Sequence, residues 1–437
     1  MEKTQEWVRW FRHASPYINS QRNQVLVIAL GGDALLHSNL DNIVHDISLL
    51  NSLGVRLVLV FGARPQIDSI LEKNKISSRF HHNLRVTEDH IIQHVLEAYG
   101  RVRSELEAKL SMGVINSPMH GAKLKVVSGN YVMAKPYGVM DGVDLGLTGN
   151  VRSIDSISIH RHLDEGSVVL ISSTGYSISG DIFNLGYEEL ASDVAVKLCA
   201  DKIIYFGEHN GVKDCNGQLI PQLTVKAAQA LASKHQSRYS QQQYNQLFSS
   251  AKACDSGVNR AHIISFVHDG ALLKELFTRD GNGTMVSVDE FDQVRPACPE
   301  DTNGILNLIQ PLEEQGFLVR RSRERLETEL DYFLVEVRDN AIIACVGLYP
   351  FPNEQSGELS CFAVDPEYRQ KGRGDRLLRA VEERAKNQNL LKLFVLTTKT
   401  EQWFKERGFN LIAQGSLPGD KSYNTNRNAK VLMKHIN

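Results

Sequence analysis

The residues best able to do chemistry lie in one short segment: Val364-Asp365-Pro366-Glu367-Tyr368-Arg369-Gln370-Lys371-Gly372-Arg373-Gly374. An apolar run ends at Val364, a loop carries two glycines, and a helical pattern begins at once. Backbone N–H groups at the glycines then point at the same spot as the positive end of the helix dipole, which makes an anion site. Arg369, Lys371 and Arg373 add positive charge, and a pyrophosphate fits such a site. Two glycines alone are also what a loop with a solvated basic face would carry. The meaning of the loop therefore rests on the elements around it.

Those elements form a segment of strands and helices spanning 289–437. Helices at 301–315 and 322–330 precede a strand at 332–338. Asp339-Asn340 turns that strand into another at 341–349. A strand at 358–364 runs into the glycine loop, and a helix follows at 374–389. Antiparallel hairpins beside helices indicate an α+β domain. Upstream the pattern differs. A strand at 25–30 is cut by Gly31-Gly32, Leu40, Ile43, Val44, Ile47 and Leu50 mark a helix ending at Gly54, and a continuous apolar run fills 55–61. This is a βαβ unit with strands buried on both faces. The theme recurs with strands at 168–171, 202–206 and 261–265 and helices at 192–200 and 271–277. Residues 24–288 therefore read as an α/β domain with a largely parallel sheet. Residues 1–23 read as a helical arm with Trp7, Trp10 and Phe11 on one side. The glutamine-rich stretch 236–246 reads as an exposed loop or helix end.

Composition excludes several classes of function. The chain has 437 residues, 49 basic against 51 acidic, for a net charge of −2. So flat a balance argues against a nucleic-acid binder. No apolar run reaches the roughly 18 residues a membrane span needs. Cys199, Cys215, Cys254, Cys298, Cys345 and Cys361 are scattered without a CxxC or Cys/His cluster. Neither a disulfide framework nor a metal is expected, and the chain reads as a reduced, cytoplasmic protein.

The glycine loop resembles the acetyl-CoA pyrophosphate loop of the GNAT superfamily of N-acetyltransferases, whose Arg/Gln-x-x-Gly-x-Gly/Ala pattern is matched by Arg369, Gly372 and Gly374. The strings Gly316 to Glu324, Leu348-Tyr349-Pro350-Phe351-Pro352, Lys392 to Thr398, Trp403-Phe404-x-Glu406-Arg407-Gly408-Phe409 and Lys430-Val431-Leu432-Met433 resemble bacterial N-acetylglutamate synthases. That family joins an amino-acid-kinase-like domain to a smaller acetyltransferase domain, the order read above. In the first domain, Leu30-Gly31-Gly32 and Phe61-Gly62-Ala63-Arg64-Pro65-Gln66 resemble the glycine turns of amino-acid kinases, and Leu276-Phe277-Thr278-x-x-Gly281-x-Gly283-Thr284 resembles a motif of acetylglutamate kinase. Ala29 stands where those kinases carry a phosphate-binding Lys. Stabilisation of a transferring phosphoryl group would suffer without that charge. The domain therefore reads as kinase-derived and not a kinase.

The resemblance implies transfer of acetyl from acetyl-CoA to L-glutamate, the first step of arginine biosynthesis, with L-arginine as feedback inhibitor. Backbone at Ala363 and Val364 is implied to hold the pantetheine, and Gln370, Lys371, Gly372, Arg373, Gly374 and Asp375 the pyrophosphate. The amine nucleophile must lose a proton, and Glu358 is the candidate base. The departing thiolate needs an acid, for which Thr397, Thr398 and Tyr423 compete, with Thr397 in the family's position. Guanidinium forks suit the carboxylates of glutamate, and the resemblance singles out Arg321 and Arg427, with Val319 and Cys361 beside the substrate. In a regular strand Cys361 would face away from Glu358, and a bulge would change that. Ala429 departs from a Ser common in relatives. For L-arginine, His262, Glu275 and Gly281 match the effector site, with Lys252 close by. The arm resembles one that packs between subunits, which implies a homo-oligomer, a hexamer. The rival readings are an acetyltransferase for another amine such as a protein lysine, a non-catalytic amino-acid-binding regulator, and a bifunctional synthase–kinase.

Overall fold

A computed structural model describes residues 2–112, 119–234, 239–278, 280–288, 293–338, 341–369, 372–413, 417 and 429–436. The chain divides into two compact units, Met1–Glu290 and Phe291–Asn437.

The first unit is built on an eight-stranded sheet. Its strands are β1 (Val25–Leu30), β2 (Arg56–Phe61), β3 (Val126–Ser128), β4 (Val168–Ser172), β5 (Lys202–Gly207), β6 (Gln222–Thr224), β7 (Arg260–Ser265) and β8 (Thr284–Ser287), in the order β6-β8-β7-β5-β1-β2-β4-β3. Every neighbouring pair is parallel except β7 with β8. Alternation along β1 feeds both faces: Val25, Val27 and Ala29 enter one core and Leu26, Ile28 and Leu30 the other. A second, four-stranded sheet joins Val132–Pro136, Gly149–Ile154, Thr174–Tyr176 and Ile182–Asn184.

Helix α1 (Glu2–Gln21) carries the N-terminal arm. Ala14 is buried in this unit's own core, with Tyr17 and Ile18 packed against it. The side chains of Trp7 and Trp10 lie outside the described residues. Helix α2 (Leu40–Ser52) follows β1 as the apolar spacing predicts. Helix α3 (Tyr187–Lys197) begins five residues before the expected 192, because Gly186 caps it and Glu188 and Glu189 complement the dipole of its first turn. It stops early because Cys199 takes φ +49 and Ala200 N–H returns to Ala195 C=O.

In the glutamine-rich stretch the described residues form a helix end, the second of the two expectations. Ser240 and Gln243 form a reciprocal capping box that opens α4 (Gln241–Asp255). Gln246 is fully buried, and its Nε2 donates to Phe206 O at 3.0 Å and to Tyr187 Oη at 3.2 Å. This helix decides the fate of the glycine turns. A Cβ on Gly31 would lie 2.8 Å from Gln242 Nε2 and 2.9 Å from Tyr187 Oη, and one on Gly62 would lie 2.8 Å from Tyr187 Cδ1. The close approach that demands glycine is made by the protein's own tyrosine and glutamine. Ala29 meanwhile is fully buried in the core. Helix α5 (Ala271–Phe277) follows β7.

The second unit holds a seven-stranded sheet of β9 (Gln293–Pro296), β10 (Phe333–Arg338), β11 (Ala341–Phe351), β12 (Ser356–Val364), β13 (Lys392–Thr397), β14 (Asn410–Leu411) and β15 (Lys430–His435). Their order is β9-β10-β11-β12-β13-β15-β14, antiparallel except for β12 with β13. The expected Asp339-Asn340 turn falls outside the described residues. Helices α6 (Thr302–Glu314) and α7 (Arg323–Glu329) cover one face, where Ile305, Ile309 and Leu326 meet Phe333 and Val335. Helix α8 (Arg373–Asn387) covers the other through Leu377, Leu378 and Val381. A short helix α9 (Glu401–Lys405) follows β13.

Tyr187 and Gln242 press against Gly31, and Tyr187 against Gly62, so a nucleotide's phosphates could reach these turns only by displacing them. Magnesium-ATP at a millimolar concentration is expected to leave the melting temperature of the chain unchanged. A ligand present at 100 times its Kd would add about 2.7 kcal/mol, so an upward shift in a thermal scan would show the turns open.

Candidate active site

Two irregularities open the second sheet. The β12–β13 register runs from Ser356↔Lys392 to Leu359↔Val395 and ends there, while β13 stays paired with β15 on its other edge through Leu396 and Thr397. The β11–β12 ladder slips from Cys345↔Ala363 to Gly347↔Ser360, with Cys361 at φ +49. A left-handed residue that is not glycine is uncommon, and here it marks a β-bulge. Between the parted strands lies a cleft of about 930 Å³. It is lined by Val319, Arg321, Glu358, Cys361, Ala363, Val364, Gly372, Arg373, Gly374, Asp375, Thr397 and the competing Thr398. Arg427, Gln370, Lys371 and Tyr423 lie outside the described residues.

The bulge settles where Cys361 points. Arg321 Nη1 donates to Cys361 Sγ at 2.7 Å and Nη2 to Ser360 Oγ at 2.9 Å. Behind the guanidinium, Glu329 Oε2 is 3.6 Å from Arg321 Nε and accepts from Tyr349 Oη at 2.5 Å. Burial would raise the Glu329 carboxyl, but the Tyr349 hydroxyl and the Arg325 and Arg321 guanidinium groups hold it below the usual range. Burial pushes the Cys361 thiol up to about 11 despite Arg321, so the sulfur is a neutral thiol at neutral pH. Val319 borders the cleft half-exposed.

Glu358 is 8% exposed, on a strand flanked by Tyr349 of β11 and Phe394 of β13. It is therefore no edge carboxylate. Thr397 Oγ1 accepts from Thr400 N at 3.0 Å and Lys399 N at 3.3 Å, and pairs with Thr400 Oγ1 at 2.9 Å. Its hydroxyl thus also shapes the turn into α9.

At the loop, Gly372 caps α8 at φ +71, where a Cβ would be strained but would meet nothing. Gly374 is needed for another reason: its Cβ would lie 2.7 Å from Trp403 Cζ2. Asp375, which would repel a pyrophosphate, is paired with Arg407 Nε at 2.5 Å and held below the usual carboxylate range by it. Arg407 also lies 4.0 Å over the Trp403 ring. Arg373 does not add a bare positive charge to the cleft. Its guanidinium meets buried Glu336 at 2.7 Å, so what it offers the cleft is its backbone. Glu329, Glu336, Ser360, Trp403 and Arg407 were not among the candidates.

In the first unit, His262 Nδ1 and Glu275 Oε1 are 2.6 Å apart and both residues are buried. Glu275 Oε2 accepts from Asn282 N at 2.5 Å and Gly283 N at 2.9 Å. Gly281, at φ +65, leaves room for that carboxylate, since its Cβ would sit 2.6 Å from Oε2. His262 Nε2 is buried with no hydrogen-bond partner among the described residues. Burial would raise the Glu275 carboxyl, but His262 and the two amides outweigh it and lower it. Lys252 does not join this cluster. It sits on α4, whose Ala251 and Cys254 pack in the core with Ile263, whereas α5 packs with Ile264 on the opposite face of the sheet. Alternation puts His262 on the Ile264 side. Lys252 instead pairs with Asp193 at 2.8 Å and Glu189 at 3.5 Å on α3.

The amino acid kinase family matches residues 24–265 and the acetyltransferase (GNAT) family residues 302–409. The chain is 49% identical over 433 residues to an amino-acid acetyltransferase of Pseudomonas fluorescens, covering 99% of this chain and all of that one. An amino-acid acetyltransferase of Pseudomonas aeruginosa is 48% identical over the same length. Among solved structures, N-acetylglutamate synthase from Neisseria gonorrhoeae with coenzyme A and L-arginine aligns at a TM-score of 0.87 and 33% identity, over 98% of this chain and 99% of that one. The same protein with coenzyme A and N-acetyl-glutamate aligns at 0.63 and 35%, with the same coverage. A match over almost the whole length, at 49% identity in sequence and a TM-score of 0.87 in structure, shows that the chain belongs to the amino-acid acetyltransferases of the N-acetylglutamate synthase family.

Proposed function

We propose that the cleft joins acetyl-CoA and L-glutamate in a ternary complex and transfers acetyl directly, giving N-acetyl-L-glutamate and CoA, the first step of arginine biosynthesis. The observation that carries this reading is the parting of β12 and β13 beside the Gly372 helix start, with Glu358 and Arg321 lining the same cleft. Backbone at Ala363 and Val364 takes the pantetheine amides. The N–H groups of Gly372, Arg373, Gly374 and Asp375 take the pyrophosphate, with Gln370 and Lys371 beside them. Arg321 and Arg427 take the substrate's carboxylates, with Val319 and Cys361 at its flank. A cationic lysine side chain would gain nothing from such forks.

Glu358 accepts a proton from the substrate ammonium. The freed amine attacks the thioester carbonyl carbon, the new C–N bond forms, and the C–S bond breaks. The thiolate takes the proton of the Thr397 hydroxyl, whose oxygen accepts hydrogen bonds from two backbone amides, and the second proton of the attacking nitrogen, shed as the amide forms, restores that hydroxyl. Cys361, held as a thiol, is a poor nucleophile, which favours direct transfer over an acyl-enzyme.

L-arginine is the feedback inhibitor in this reading, and His262, Glu275 and Gly281 hold it. The buried, ionised Glu275 suits a cationic ligand. A homo-oligomer, hexameric, completes the proposal, with α1 and its half-exposed Phe11 as the contact. Among the described residues no helix is long and apolar enough to cross a membrane, which is compatible with a cytoplasmic enzyme.

CoA release from acetyl-CoA is expected to require L-glutamate and to fall when L-arginine is added. Release with a lysine peptide and not with glutamate would overturn the reading. Glu358→Gln should lower kcat by about 10²–10⁴-fold. Arg321→Gln should raise the KM for glutamate about 10- to 100-fold, as expected for a lost charge-assisted bond, and leave that for acetyl-CoA largely alone.

Glu275→Gln should weaken arginine inhibition by about tenfold or more. Because the folded state lowers the Glu275 carboxyl, its contribution to stability is complete above the ordinary carboxylate value and is lost as pH falls through the lowered one. The gap in urea midpoint between the wild type and Glu275→Gln should therefore be present at about pH 7 and shrink below about pH 4. A gap that widened on acidification would contradict the assignment.

A further inference from the structure

One buried charge of the second unit takes no part in the chemistry above. Glu336, on β10, has no exposed surface. Along β10, Phe333 and Val335 face the α6 and α7 side, and Leu334 faces α8. Alternation sends Glu336 to the α8 side, at a position where the pattern asks for an apolar residue. The ladder with β11 slips at this point, from Glu336↔Ala344 to Val337↔Ile342. Glu336 Oε1 accepts from Arg373 Nη1 at 2.7 Å and from Arg376 Nη1 at 3.4 Å. Arg373 is the first residue of α8 and follows Gly372, the left-handed cap of that helix. A carboxylate buried this deeply persists only beside its counter-charges. The pair therefore ties the first turn of α8 to the sheet at the place where the helix presents its amides.

We propose that Glu336 is a positioning residue for acetyl-CoA: by anchoring Arg373 and Arg376 it fixes Gly372 and the first turn of α8 in the geometry that receives the pyrophosphate. The proposal rests on the reading of residues 372–375 as the pyrophosphate site. Amides held in place before the ligand arrives lose little freedom when it binds. The same pairing draws the Arg373 side chain away from the anion, so recognition falls to the backbone. Glu336 acts through Arg373 and Arg376 and touches neither substrate.

The test compares two acetyl donors on the full chain. Acetyl-CoA carries the pyrophosphate, and S-acetylpantetheine lacks it while keeping the thioester and both amides. Glu336→Gln should lower kcat/KM for acetyl-CoA about tenfold through KM, the size of a lost charge-assisted bond, and leave kcat/KM for S-acetylpantetheine unchanged. Glu336→Asp, which keeps the charge on a shorter arm, should fall between, and it carries the test if the glutamine variant does not fold. Equal losses for both donors would mean a merely structural role and overturn the proposal, as would no loss for either. A wild-type enzyme that used both donors equally well would overturn the pyrophosphate reading itself, and this inference with it.

Discussion

The separation of β12 from β13 after Leu359 is the constraint on which the acetyltransferase site depends. Two parallel strands that stayed paired would consume each other's N–H and C=O groups. They would leave neither a cleft nor backbone to meet a pantetheine. The separation has a local cause on the other side of β12. The bulge at Cys361 puts two residues, Cys361 and Phe362, opposite the single residue Val346, and it bends the strand. The strained φ of Cys361 is held by what surrounds it: Arg321 on its sulfur, Phe362 against Trp403 and Phe404, and β11 behind. The bulge therefore both opens the cleft and places the guanidinium that faces it.

The first unit has the architecture of the amino acid kinase family, with departures from its chemistry at the glycine turns. Its sheet is parallel at the strands that carry the glycine turns, where open α/β sheets bind ligands. Ala29 removes the cation such chemistry needs, and Tyr187 with Gln242 occupies the room that Gly31 and Gly62 leave. What the domain has instead is a buried ion-paired contact between β7 and α5, His262 with Glu275, backed by two amides. Those partners favour an ionised carboxylate in a place where burial alone would protonate it.

The strands and the order of elements were legible because apolar runs of β-branched residues can hardly be anything else. The strands expected at 25–30, 202–206, 261–265 and 358–364 differ from the observed ones by at most two residues at either end. Helix starts were less legible. The capping box Ser240–Gln243 is written in the sequence, yet a run of glutamines reads as polar surface until Gln246 is seen bonded to Phe206 O. The site was legible where a backbone motif specifies it, as at Gly372. It was not where function depends on pairs far apart in the chain. Asp375 with Arg407, and Glu336 with Arg373, are separated by 32 and 37 positions. One hint was available: Glu336 interrupts the apolar run from Phe333 to Val337 at an inward position. Lys252, which the resemblance put close to the effector residues, lies on α4 at the other face of the sheet and pairs with Asp193 and Glu189.

Those two pairs change the account of the anion site. Counted along the sequence, Arg369, Lys371 and Arg373 make the loop look recognised by its charge. In the fold, Glu336 takes up Arg373, and Arg407 offsets Asp375, so neither of these two pairs adds net charge to the loop. What remains fixed and unopposed is geometric: a left-handed glycine cap, the amides of a helix's first turn, and the dipole of a fifteen-residue helix behind them. A site of this kind discriminates by the shape of its ligand more than by net charge. It needs rigidity more than it needs cations. On the proposed reading, this is how an interior carboxylate on β10 comes to bear on the cleft through the first turn of α8.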